Sequence, residues 1–343
     1  MEKKERKPVY YSEYLQLNKI LNAQDPESSK EGIRADDEML FIIIHQTYEL
    51  WFKQILHELS VVREIFKQPN IHNNTPDIYN SVHRLERVGK ILEVAVSQMG
   101  VIETMTPLDF LDFRDLLRPA SGFQSIQFKM IEATLGLAYE QRFAKNYYLT
   151  QLNQEDIERV KKAESEESLL VLINKWLERM PFIKDKNYWQ ESQDSEFWIS
   201  YRKAYEDSLL EAEKVNLKTF DLLFMHDDGY PEDRRFSADA NRNALFIMLY
   251  RDHPMLHLPY ELLDSLLEID ELLSMWRHRH IHMVQRTIGK RVGTGGSSGS
   301  EYLRAAADSH YIFKELAELT SFLLPRHLLP KLPETLTTSL GYH

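Results

Sequence analysis

Apolar residues in this chain recur every three and four positions, in one long stretch after another, and they seldom alternate. Phe41, Ile44, Tyr48, Trp51, Phe52, Ile55, Leu56 and Leu59 trace one helical face, and Leu272, Leu273, Trp276, Met283, Val284 and Ile288 trace another. That period of 3.6 predicts helices and leaves little room for sheet. Asp36 or Asp37 is placed to cap a helix running to about Phe66, and Asp77 to Val96 predicts a second. Thr106-Pro107 is a cap followed by a proline at the first helical position, opening a helix over Leu108 to about Leu116. Pro119-Ala120-Ser121-Gly122 breaks the chain before helix resumes over Phe123 to Tyr139. Tyr11 to Leu21, Ala238 to Arg251, Glu261 to Ile288 and Glu301 to Leu324 complete the helices, and Pro325, Pro330 and Pro333 end regular structure. With 343 residues, 43% of them hydrophobic, the chain can bury a substantial core. The expected fold is all-α, a bundle of long helices forming a single domain over 1–343. The charged helical stretch 150–235 is expected as an insertion or subdomain packed on that bundle.

One segment departs from the pattern. Five of the twelve glycines fall between Gly289 and Gly299, directly after a helix bearing His278, His280 and His282. Glycine clusters of this kind mark backbone that bends or closes over something. Gly293-Thr294-Gly295-Gly296-Ser297-Ser298-Gly299 has no Gly-Lys-Ser/Thr ending and follows a helix, not a strand, so neither phosphate-binding fingerprint applies. It reads as a plain connector or as a mobile lid in which Thr294 has a role.

Composition removes several kinds of chemistry. The absence of cysteine excludes thiolate catalysis, iron–sulfur clusters, Cys-ligated zinc and a thiolate-held haem. A net charge of −11 argues against nucleic acid or an anionic membrane as the main partner. No apolar run suits a signal peptide or a membrane span, so a cytoplasmic protein is expected.

Histidine remains the richest candidate. His280 lies four residues from both Trp276 and Val284, on the apolar stripe, whereas His278 and His282 lie about 160° round the helix from it. His45 repeats the arrangement among Phe41, Tyr48 and Phe52. Each reads as a satisfied core histidine or as a ligand, because a buried imidazole needs a partner on each ring nitrogen. Two such residues on two apolar helices suit a haem, with one as axial ligand and the other across the iron. His278 with His282 has zinc spacing but no His-Glu-x-x-His pattern, and a di-iron bundle would repeat Glu-x-x-His on two helices, which this chain does not do convincingly. Arg114, among Phe110, Phe113 and Leu117, is either a surface residue paired with Asp112 or Asp115, or a bidentate clamp for a carboxylate.

Four blocks carry a family resemblance: Tyr11 to Gln24, Phe41 to Gln54, Phe113 to Phe128, and Arg279-His280 through the glycine loop to Arg304. Together, and in this order, they closely resemble the tryptophan 2,3-dioxygenases, which are haem enzymes. The resemblance implies helices enclosing a haem pocket, with haem b, ferrous when active, and with L-tryptophan and O2 as substrates. It implies His280 as the axial iron ligand and His45 as acceptor of the indole N–H. Arg114 would hold the substrate carboxylate, and Thr294 would close over the ammonium end. Phe41, Phe110 and Leu117 would line the indole pocket, while Ser121 would support substrate or a haem propionate. Tyr11, Tyr14 and Leu15 would reach the pocket of a neighbouring subunit in a homotetramer. A mono-oxygenase or peroxygenase on a related aromatic amino acid, or a haem-based oxygen or tryptophan sensor, is the alternative.

Overall fold

The long periodic stretches become the long helices. The computed structural model describes residues 8–69, 75–137, 152–185, 187–189, 193–225, 229–289, 291, 304 and 310–341. Short turns α1 (Tyr11–Tyr14), α2 (Leu17–Ile20) and α3 (Glu27–Lys30) lead into α4 (Asp37–Phe66), α5 (Pro76–Ile102), α6 (Pro107–Phe113) and α7 (Ile126–Leu135). Then come α8 (Gln154–Ser165), α9 (Leu169–Glu178), α10 (Gln193–Ser208), α11 (Asn216–Phe220), α12 (Ala238–Leu249), α13 (Pro254–Ile288), α14 (Lys314–Glu318) and α15 (Glu334–Ser339). No strand occurs among the described residues, and the fold is all-α. No helix there is long and apolar enough to cross a membrane.

Helix α5 is the spine. It lies along α13 on one side and α4 on the other, while α6 touches both α4 and α13 and α7 packs on α4. The reason is the apolar stripe: Ile78, Leu85, Val88, Leu92, Ala95 and Met99 of α5 are all buried, as are Ile55 and Leu59 of α4 and Leu262, Leu266, Ile269 and Leu273 of α13. Each such aliphatic side chain contributes about 1.5–3 kcal/mol on burial, so the seams of these three helices dominate the fold. Helix α9 packs on α4 and α12, with Trp176 edge-on to Phe66 at 5.6 Å.

Several boundaries differ from the periodic reading. The arm over Tyr11 to Leu21 is two turns, not one helix, because Gln16 takes a left-handed conformation (φ 52°). Asp36 precedes α4 but makes no side-chain cap, since Arg34 holds its carboxylate at 2.9 Å. Thr106 does cap α6, in a reciprocal pair with Asp109, but the α-helix ends at Phe113 and tightens into a 3₁₀ turn over Arg114–Leu117. Helix α7 starts later and ends earlier than expected. Gly122–Gln124 is a 3₁₀ turn, and Gly136 closes α7 at φ 132°, where an added Cβ would lie 2.8 Å from Leu170 Cβ. Ala138 and Tyr139 lie outside the described residues.

Helix α13 begins at Pro254 rather than Glu261, and Pro259 does not end it. Residues 310–313 are not helical, contrary to the continuous helix expected over Glu301 to Leu324. Buried Asp270 accepts the backbone N–H groups of Ile312 (2.9 Å) and Phe313 (2.9 Å), which fixes that turn and starts α14 after it. The prolines near the C-terminus do not end regular structure either. A 3₁₀ turn spans Arg326–Leu328, and α15 follows Pro333.

Candidate active site

His45 and His280 come together because α4 and α13 both pack on α5 and both meet α6. His45 Nδ1 lies 2.7 Å from the carbonyl of Phe41, one turn back on α4. A carbonyl only accepts, so Nδ1 carries the proton and Nε2 is left as an acceptor. The His45 ring lies 4.1 Å from Phe41, centroid to centroid, and Phe41 in turn contacts Phe110 and Phe113, each at 5.6 Å. The ring is reachable by solvent, yet protein surrounds it closely enough that desolvation pulls its pKa down against the Phe41 bond. Both statements hold for a side chain set into a cleft and open on one side.

On α13, His280 is enclosed more tightly. Its Nδ1 is buried and has no hydrogen-bond partner among the described residues. Burial first, and then the neighbouring His45, lowers its pKa to about 4, so the imidazole is neutral at pH 7. Trp276, one turn earlier, stacks on the His280 ring at 5.1 Å and 20°. Behind Trp276 stand Phe128 of α7 at 4.7 Å, and Tyr48 and Phe52 of α4 at 6.1 and 6.2 Å.

Arg114 opens the turn after α6 and is only 5% exposed, so it is not the surface residue of the simpler reading. Asp115 pairs instead with Arg118 at 3.3 Å. Phe110 is buried and Leu117 half-buried. Ser121 accepts from the N–H of Phe123 and forms a reciprocal cap with Gln124. The structure therefore gathers Phe41, His45, Phe110 and His280 around one cleft, with Arg114 beside it on the turn that follows Phe113. Tyr11 and Tyr14 are 75% and 74% exposed in their own chain, and Leu15 is half-buried. Thr294 and the loop from Gly293 to Gly299 lie outside the described residues. His278 turns away from the cleft, its Nδ1 donating to the Ser274 carbonyl at 2.9 Å.

Sequence reasoning missed the buried ions next to this site. Arg277 Nη2 donates to Glu132 at 2.8 Å and its Nη1 to the His310 carbonyl at 3.1 Å, while His310 Nδ1 lies 3.3 Å from Glu132. Arg277 lies three residues from His280, and Glu132 lies on the helix that carries Phe128. Charged residues on helical stripes read as solvent-facing, and the only signal against that was Arg277 falling on the same side of α13 as Leu273 and His280.

The site is thus two imidazoles and an aromatic wall within an all-α bundle, with a buried guanidinium on the neighbouring turn. Comparison with known proteins narrows the class. The family model described as tryptophan 2,3-dioxygenase matches residues 1–222 and 225–323. Tryptophan 2,3-dioxygenase of Alteromonas mediterranea is 42% identical over 99% of this chain and 99% of its own length. That of Dictyostelium discoideum is 42% identical over 98% of this chain and 89% of its own, and that of Rattus norvegicus 40% over 94% and 84%. The chain belongs to the tryptophan 2,3-dioxygenase family.

Proposed function

We propose that this chain is the haem-dependent dioxygenase that opens the indole ring of L-tryptophan, the first step of tryptophan breakdown through kynurenine. The C2–C3 bond breaks, both atoms of O2 enter the product, and N-formyl-L-kynurenine forms with no external reductant consumed. The observation that carries this reading is the pairing of His45 with His280 across an aromatic cleft, in a chain matched along nearly its whole length by relatives of that name.

The residues present fit a haem. His280 would hold the haem iron through a neutral imidazole carried on a long helix, and no cysteine is present to compete for the role. Bound there, haem would supply the oxygen chemistry, leaving binding and orientation to the protein. His45 offers Nε2 to the indole N–H and fixes the ring's rotation, with its own tautomer set by Phe41. Arg114 holds the carboxylate bidentately, so the amino-acid end and the indole end are pinned separately and C2–C3 is held in one place. Phe41, Phe110 and Leu117 form the indole slot and exclude water from it. Thr294 meets the ammonium group, and Ser121 supports substrate or a propionate with its hydroxyl proton.

Tyr11, Tyr14 and Leu15 complete the cleft of a neighbouring subunit in a homotetramer, which accounts for aromatic residues standing in solvent in the single chain. The protein acts in the cytoplasm as one domain over 1–343, with 150–235 as a helical insertion whose Trp176 is sealed against α4.

The deciding experiment mixes haem-loaded, reduced protein with L-tryptophan and air and follows the absorbance of N-formyl-kynurenine. Product is expected. Its absence in a sample proven ferrous and haem-replete overturns the reaction and leaves a haem protein with another task.

A further inference from the structure

A metal-binding histidine is usually oriented by a hydrogen bond from its second ring nitrogen to a carboxylate, a carbonyl or water. His280 departs from that pattern, because its Nδ1 is buried and finds no partner among the described residues. What it has is a ring. Trp276 lies nearly parallel to the imidazole, at 5.1 Å and 20°, from the preceding turn of the same helix. Trp276 is itself gripped from two other helices, by Phe128 at 4.7 Å and by Tyr48 and Phe52 edge-on at 6.1 and 6.2 Å. Its indole N–H approaches the Tyr48 hydroxyl without completing a hydrogen bond. The Tyr48 hydroxyl is anchored in turn, donating to the Ala95 carbonyl on α5 at 3.0 Å. Helices α4, α5, α7 and α13 thus all bear on the plane of one imidazole.

We infer that Trp276 is a positioning residue for His280: the stack sets the rotation of the imidazole ring and keeps it in register with the cleft. This rests on the haem reading above. A stack resists tilting of the ring, and no protein group among the described residues does so at Nδ1. The orientation of the ring therefore depends on the shape of its aromatic neighbour.

The test uses haem-loaded full-length protein with Trp276→Leu and Trp276→Phe. Two quantities are read: the iron–histidine stretching band of the reduced protein by resonance Raman, and the rate of haem transfer to apomyoglobin. Trp276→Leu should shift and broaden the band and speed haem loss by about tenfold or more. Trp276→Phe, which keeps a stacking ring, should restore the unsubstituted band and most of the retention. Should Trp276→Leu not fold, Phe128→Leu loosens the stack from behind without touching His280, and it should broaden the band in the same way. A Leu variant at either position that is folded, with band and haem-loss rate unchanged, overturns the inference, as does a Phe variant as perturbed as Leu. If the unsubstituted protein takes up no haem, with no Soret band, the haem reading falls instead, so the two failures are told apart.

Discussion

The two walls of the cleft fix an imidazole in opposite ways. On the α4 wall, His45 is held by a hydrogen bond from Nδ1 to the Phe41 carbonyl, and its ring remains reachable from solvent. On the α13 wall, His280 finds no such bond among the described residues and packs against Trp276, with burial strong enough to bring its pKa to about 4. A hydrogen bond chooses which nitrogen carries the proton. A stack chooses the plane of the ring and is indifferent to the proton. The α4 wall thus offers a defined acceptor at His45 Nε2, and the α13 wall a neutral imidazole whose plane is set by its neighbour, the difference that the proposed function uses.

The largest effect is expected from His280→Ala, which removes the proposed ligand on the α13 wall. Purified protein should lose its Soret absorbance, and undiminished haem content would sink the assignment of that wall. Next comes Arg114→Ala. It should raise the Michaelis constant for L-tryptophan by about 10- to 100-fold, the scale of losing a charge-assisted bidentate contact. An indole lacking the carboxylate should be affected far less, and equal losses on both would remove the clamp. His45→Leu keeps a bulky apolar side chain but gives up the acceptor on the α4 wall. Turnover should fall by about tenfold, the scale of one hydrogen bond, while haem content stays level. Loss of haem in this variant would erase the difference between the walls.

The smallest effect concerns acid stability of the haem-free chain. Burial disfavours the His280 imidazolium, so the unfolded chain takes up its proton first as pH falls. Stability that is fully present above the ordinary histidine value of 6.5 is lost progressively on the way down to about 4. His280→Phe keeps the ring volume and cannot titrate, so its thermal midpoint should fall less steeply across that window. Parallel slopes for the two proteins would contradict a buried neutral imidazole.

Much of the scaffold was legible in the sequence, for a physical reason. Helices α4, α5 and α13 each bury one stripe, and a stripe is a one-dimensional pattern. The capped start of α6 was legible too, because Thr106 and Pro107 act within a single turn. What failed was local backbone without a side-chain signal, such as the left-handed Gln16 and the 3₁₀ turn at Arg114. Non-local hydrogen bonding failed as well: nothing near Ile312 announces that Asp270, 42 residues earlier, will stop a helix there. For the site, periodicity placed His45 and His280 on apolar faces, and the resemblance supplied their roles. Their approach to one another depends on both helices sharing α5, which no spacing encodes. The ion pair of Arg277 with Glu132 was invisible because burial of a charge is decided by a partner 145 positions away.

The double attachment of 310–313 to α13 has a consequence for how this chain tolerates change. The chain leaves α13 after Ile288 and is pinned again at His310, Ile312 and Phe313 by Arg277 and Asp270 of that same helix. Both ends of the intervening segment are therefore mounted on one rigid rod. Their separation is set by the rod and not by the residues between. Asp270 and Arg277 are thus the sockets that decide where the chain rejoins the bundle, and a change at either one moves the point from which α14 starts.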